Sequence, residues 1–159
     1  MAEKLASLHK KGGGGMGNVL FSTCLLANGG TSWTQYSMAS TVSDISGSSI
    51  ANALEPSFGH LDNGGIVVDR AISKAYISGQ AVYMRNAAGT MIYTGLRVLK
   101  NGTVITGASV MGSSSVGAAP SFRRIETSFA VGDVITIEYK FSSQTGTSCN
   151  IGPVNIVTD

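Results

Sequence analysis

The six residues Leu99-Lys100-Asn101-Gly102-Thr103-Val104 constrain this chain more than any others. Asn-Gly accepts the positive φ angles of a type I′ turn, whose twist matches that of two antiparallel strands. The segment therefore predicts a hairpin with strands over residues 91–100 and 103–111. A second local pattern agrees with it. From Asp133 to Phe141, Ile135, Ile137, Tyr139 and Phe141 alternate with Thr136, Glu138 and Lys140, the two-residue period of a strand with one buried and one wet face. Ala130-Val131-Gly132-Asp133 supplies turn residues at its entry.

Further strand signals fall at residues 66–72, 75–85, 122–129 and 149–157. Residues 18–46 read as strand and loop, with Val19, Leu20, Phe21, Trp33, Tyr36 and Val42 set among Ser, Thr and Gly at no helical period. Residues 49–55 read as one helical turn, with Ser49 as its cap and Pro56 behind its end. Residues 106–121, rich in Gly, Ser and Ala, read as an exposed loop around the end of a strand. Short strands at roughly ten-residue spacing imply an all-β antiparallel sandwich or jelly roll, not a parallel α/β sheet. The 159 residues suit one domain, expected over residues 18–159.

Residues 1–17 read as an N-terminal arm and hinge. Leu5 and Leu8 lie three apart, Lys10 and Lys11 stand where cations suit the end of a helix dipole, and Gly12 stops the helix. Eleven residues are too few for a stable isolated helix, so the arm is expected to order by docking its apolar stripe. Residues 12–17 are the Gly-rich hinge. Lys10, Lys11 and the apolar run after them imitate a secretory signal, but the intervening glycines and Glu3 argue against secretion by that route. The run is also far shorter than the ~20 residues of a membrane-spanning helix, so no membrane partner is expected.

Charge narrows the partners. Only 13% of residues are charged, against about 25% in an ordinary domain, and the formal net charge is +2. That balance gives no broad basic face for nucleic acid. Catalytic patterns are missing as well. Gly12, Gly14 and Gly17 match a dinucleotide fingerprint in spacing, but neither a strand nor a βαβ unit frames them. His9 and His60 are the only histidines, with no metal-ligand spacing around them and no G-x-S-x-G elbow in the chain. Asp62 with Asp69, or Glu126 with Glu138, carry no spacing that favours a glycosidase pair; the two Glu residues read as surface charges beside Arg123, Arg124 and Lys140. Thus no catalytic residue, cofactor or metal is expected. Cys24 and Cys149 leave their pairing open.

Three segments together carry a resemblance: Lys74-Ala75-Tyr76-Ile77-Ser78-Gly79, the stretch from Thr94 to Val104 with its Asn-Gly turn, and Ala130 to Tyr139 with its Gly-Asp turn. The pattern resembles the jelly-roll module of complement-type globular heads, tumour-necrosis-factor-like domains and many tailed-phage structural proteins. It covers residues 65–159. The resemblance implies a homotrimer, with Tyr139 and Phe141 on the late strand as candidates for the trimer seam. The leader resembles neither a signal peptide nor a stalk, which favours a phage virion part.

The function expected on this basis is a capsid decoration or head-fibre protein at the phage particle surface. Lys4, Leu5, Leu8, Lys10 and Lys11 would dock on an acidic groove of the major capsid protein or another virion protein, while the body associates with itself. One alternative is a tail or baseplate appendage that binds host-surface glycan through residues 106–121 and exposed aromatics such as Trp33 or Tyr36. Another is a secreted complement-like or cytokine-like ligand.

Overall fold

β-Branched and aromatic residues separated by turn residues should make many short strands, and the computed structural model contains them. It describes residues 18–28, 30–39, 41–43, 49–51, 53–85, 91–112, 120–142 and 148–159. In chain order the strands are β1 (Asn18–Asn28), β2 (Thr34–Gln35), β3 (Thr41–Ser43), β4 (Ser49–Ala51), β5 (Ala53–Leu54), β6 (Gly59–Asp62) and β7 (Gly65–Val68). They continue with β8 (Ile72–Gln80), β9 (Tyr83–Arg85), β10 (Met91–Lys100), β11 (Thr103–Met111), β12 (Ser121–Phe129), β13 (Val134–Phe141) and β14 (Ser148–Thr158). No helix among the described residues is long and apolar enough to cross a membrane.

Two antiparallel sheets form a β-sandwich. The first has the order β12-β8-β14-β1-β5, and the second β11-β10-β13-β7-β6, with β2 beside β13 and β9 beside β10. A separate hairpin joins β3 to β4. The pairings nest: β10 pairs β11, β8 pairs β12, β7 pairs β13, and β1 pairs β14. The chain thus runs out to the turn at Asn101-Gly102 and returns alongside itself. Cross-pairs β14·β8 and β13·β10 then assemble the doubled ribbon into the two sheets.

The turn at the tip has the expected form. Asn101 and Gly102 have φ of 52° and 76°, and Lys100 faces Thr103. Tertiary bonds hold it further. Asn101 Nδ2 donates to Asp133 Oδ1 at 2.7 Å, while Asn101 Oδ1 accepts from the Val134 amide at 2.8 Å. The Asn-Gly and Gly-Asp turns of the sequence, 32 positions apart, therefore bond to each other. The Asp133 carboxylate also accepts from the Ala130 amide at 2.8 Å, and these two bonds, with Lys100 nearby, hold its pKa below the ordinary aspartate value. A second Asn-Gly hairpin has no counterpart among the turns expected from the sequence: Asn63 and Gly64, with φ of 46° and 74°, connect β6 to β7.

The core fills the space between the sheets. Phe21, Phe58, Ile77, Leu96, Ile137 and Phe141 are all at or below 1% exposure. Complete burial of such a side chain contributes roughly 1.5–3 kcal/mol. Thr94 is fully buried among them, and its hydroxyl bonds both the amide and the carbonyl of Val82. That double bond satisfies the polar group that burial would otherwise leave unpaired.

Four local expectations are corrected. Residues 49–55 contain β4 and β5 instead of a helical turn. Leu54 pairs with Phe21 and Ala53 with Ser22, and ladder bonds to a sheet edge outweigh a single turn with its costly nucleus. The expected strand at 66–72 breaks after Val68, where the Asp69 and Arg70 amides both donate to the Phe58 carbonyl. The expected strand at 75–85 begins earlier, at Ile72, and breaks after Gln80, because Ala81 bonds Pro120 and Val82 bonds Thr94. The strand expected over residues 103–111 is present, which takes residues 106–111 out of the expected loop, although its register to β10 shifts between Arg97 and Leu99.

Candidate functional site

The expected docking residues Lys4, Leu5, Leu8, Lys10 and Lys11 lie outside the described residues, as do residues 113–119 of the expected tip loop. The two candidates for a trimer seam are placed. Phe141 is 1% exposed in the core of its own chain, and Tyr139 packs against that core with its ring edge-on to Phe141 at 6.3 Å. The period-two alternation of β13 turns both rings inward, which leaves Phe141 no surface to offer a partner. Of the two candidate glycan-binding aromatics, Tyr36 is buried at 7% exposure and Trp33 is partly exposed.

The outer face of the second sheet gathers a cluster around Trp33. On β10 and β13, Gly95 faces Lys140 and Arg97 faces Glu138; on β11, Met111 lies beside Gly95. Gln35 of β2 faces Glu138, so the register continued by two residues brings Trp33 alongside Lys140. Trp33 reaches across the sheet to Gly95. A Cβ at Gly95 would come within 2.6 Å of Met111 Sδ, 2.9 Å of Trp33 Cη2 and 3.3 Å of Lys140 Cγ. Glycine is therefore required for the indole and thioether to close over β10 at that point.

Charge surrounds this apolar strip in a fixed arrangement. The Arg97 guanidinium lies 4.3 Å from the Trp33 ring centroid and the Lys140 ammonium 4.9 Å, both within cation–π range. Arg97 Nε and Nη2 meet Glu138 Oε2 at 2.6 and 2.5 Å, with the two side chains only 25% and 20% exposed. Both bonds fall on one carboxylate oxygen, so Glu138 Oε1 and Arg97 Nη1 have no protein hydrogen-bond partner among the described residues. Lys140 has no carboxylate partner among the described residues. Alternation along β13 makes Glu138 and Lys140 outward residues, as expected, but the cation paired with Glu138 is Arg97, not the expected Arg123, Arg124 or Lys140, and only the strand register brings it there.

A second polar cluster lies on the margin of the first sheet. Arg124, at φ 50° in a bulge of β12, stacks on the Tyr76 ring at 4.1 Å and approaches Asp159 at 3.8 Å. Tyr76 donates to Asp159 at 3.1 Å. Glu126 lies 3.5 Å from Lys74, whose pKa is raised chiefly by Tyr76 and then by Glu126. Glu126 and Glu138 therefore stand on different sheets with different cations. His60 bonds Asp69 at 2.8 Å, and the two side chains are 58% and 45% exposed. Among the described residues, no three His, Cys, Asp or Glu side chains converge as a metal site.

Between the sheet edges, Lys100, Thr103, Val104, Ile105 and Thr106 on one side face Glu126 and Thr127 on the other across an open groove of about 310 Å³. Hydroxyl, ammonium and carboxylate groups line it, but no aromatic ring among the described residues. No protein-family model matches the chain, and no curated protein matches it.

Proposed function

We propose that this chain is a structural protein of a tailed-phage particle, of the capsid-decoration or head-fibre type. Its body is a jelly roll that self-associates as a homotrimer, and residues 1–17 attach it to the major capsid protein or another virion protein. The observation that carries the reading is the nesting of β10·β11, β8·β12, β7·β13 and β1·β14, an out-and-back ribbon rolled into two sheets. That order supports a jelly roll. The bond between Asn101 and Asp133 adds to it, because it joins two of the segments on which the resemblance rests.

Self-association is supported by the outer face of the first sheet. Ser22 and Asn155 bond each other there at 2.6 Å, and Ser78, Val157 and exposed Val19 extend a surface without charge, with Lys74, Arg124 and Glu126 at its β8 and β12 margin and Asp159 just past the end of β14. Depletion of charge at the centre with polar groups at the rim is the pattern of an interface between subunits. Three copies would present three arms, so weak single attachments combine through high effective concentration. The role is one of binding and covering, not of chemical turnover.

Leu5→Asp with Leu8→Asp in the full chain tests the attachment. The variant should sediment and melt as the parent does, yet fail to remain on purified particles. Full occupancy of particles by the variant would overturn the arm's role.

A further inference from the structure

We propose that the Trp33 surface of the second sheet binds a carboxylate-bearing pyranose, the chemistry shared by uronic and sialic acids. The inference is independent of the docking arm and of the trimer, since every residue it uses lies on the opposite face of the sandwich from the uncharged surface.

A pyranose needs an apolar surface for its C–H face and fixed donors and acceptors for its hydroxyls. Trp33, Met111 and the missing side chain of Gly95 make a shallow apolar strip across β13, β10 and β11. Because Arg97 and Lys140 already lie over the indole at 4.3 and 4.9 Å, a sugar would set its weakly positive C–H face on the part of Trp33 left exposed and on Met111, which is 37% exposed. Beside it, the Arg97–Glu138 pair is held by two bonds to one oxygen and keeps Nη1 and Oε1 available. A donor and an acceptor in a locked geometry match adjacent sugar hydroxyls without the cost of ordering them on binding.

The choice of an acidic sugar follows from the charge count. Arg97 and Glu138 neutralise each other, whereas Lys140 stands beside the strip without a carboxylate partner among the described residues. A ligand carboxylate would complete it with a charge-assisted hydrogen bond. A neutral sugar would meet the same strip and the same hydrogen-bonding pair, but would leave the ammonium unmatched.

Trp33 is the only tryptophan of the chain, so its fluorescence reports this surface alone. The full-length protein would be titrated at low salt with methyl glucuronide and with a methyl sialoside, using methyl glucoside and sodium acetate as controls. At least one acidic sugar should shift Trp33 emission saturably, about tenfold more tightly than the glucoside, and acetate should give no comparable response. Which acidic sugar responds identifies the source of the carboxylate. Lys140→Gln, a substitution on the sheet exterior, should remove the preference for acid while keeping the parent melting temperature. Absence of saturable binding by both acidic sugars overturns the proposal. Equal binding of the glucoside, an equal response to acetate, or an unchanged acid preference in Lys140→Gln would each do the same.

Discussion

The outer faces of the two sheets differ although the same core lies beneath both. On the first, Ser22, Asn155, Ser78 and Val157 form a neutral surface, and charge collects at its margin around Tyr76 and Arg124. On the second, Arg97, Glu138 and Lys140 occupy the middle of the sheet around a partly exposed Trp33. A neutral face loses little when another subunit covers it, because no charge is taken from water. A face with an unmatched ammonium and an aromatic strip is better suited to a small anionic ligand. The difference teaches that a sandwich with only 13% charged residues can still specialise its faces by position.

The largest expected effect tests what both faces share. Phe141→Ala should cost about 3–5 kcal/mol through the cavity left in the core, read by urea denaturation at two protein concentrations. The loss should be the same at both. A loss that grows with dilution would return Phe141 to the subunit seam and blur the contrast between inner and outer faces.

Next comes the neutral face itself. Val157→Arg should abolish self-association in sedimentation experiments while far-ultraviolet dichroism stays that of the folded chain, whereas Gln35→Arg on the other exterior should leave association intact. Dissociation by both variants, or by neither, would end the assignment of separate roles to the two faces.

Smaller effects sharpen a second comparison, between the two Asn-Gly hairpins. Asn101→Val should destabilise by about 1–2 kcal/mol, because a β-branched residue is forced to positive φ and the bonds to Asp133 and Val134 are lost. Asn63→Val should cost less in the same thermal melts, since among the described residues the Asn63 side chain bonds only its neighbour Asp62. Equal losses would mean that the tertiary bonds of Asn101 contribute nothing measurable.

The smallest effect is one of pH. The folded-state pKa of Asp133 is lowered, so its contribution is complete above the unfolded-state value and fades as pH falls through the folded-state value, below the ordinary aspartate range. Asp133→Asn should therefore flatten the acid limb of the stability curve and leave its slope near neutrality unchanged. An acid limb identical to that of the parent would remove Asp133 from the account.

Much of the fold was legible because its signals are local. The boundaries of β10, β11 and β13 follow from alternation and from turn residues, which act over a few positions. The short strands β4 and β5 were not legible: residues 49–55 have a plausible local alternative, and only pairing decides against it, of β4 with β3 and of β5 with the edge of β1. The breaks at Asp69 and at Ala81 were hidden for a similar reason, since the competing partners Phe58, Pro120 and Thr94 are distant in sequence. The site was legible only in fragments. Trp33, Glu138 and Lys140 stood out singly, but nothing in their spacing joined them to Gly95, Arg97 and Met111.

By itself, the sequence determined an all-β chain, its tip hairpin, and the inward and outward faces of its clearest strand, because backbone sterics and a two-residue period need no distant partner. Tertiary structure alone decided the order of strands, the bond between the two turns, and the company that Trp33 keeps. Those depend on register between strands dozens of residues apart, where a shift of one position would send every side chain to the opposite face.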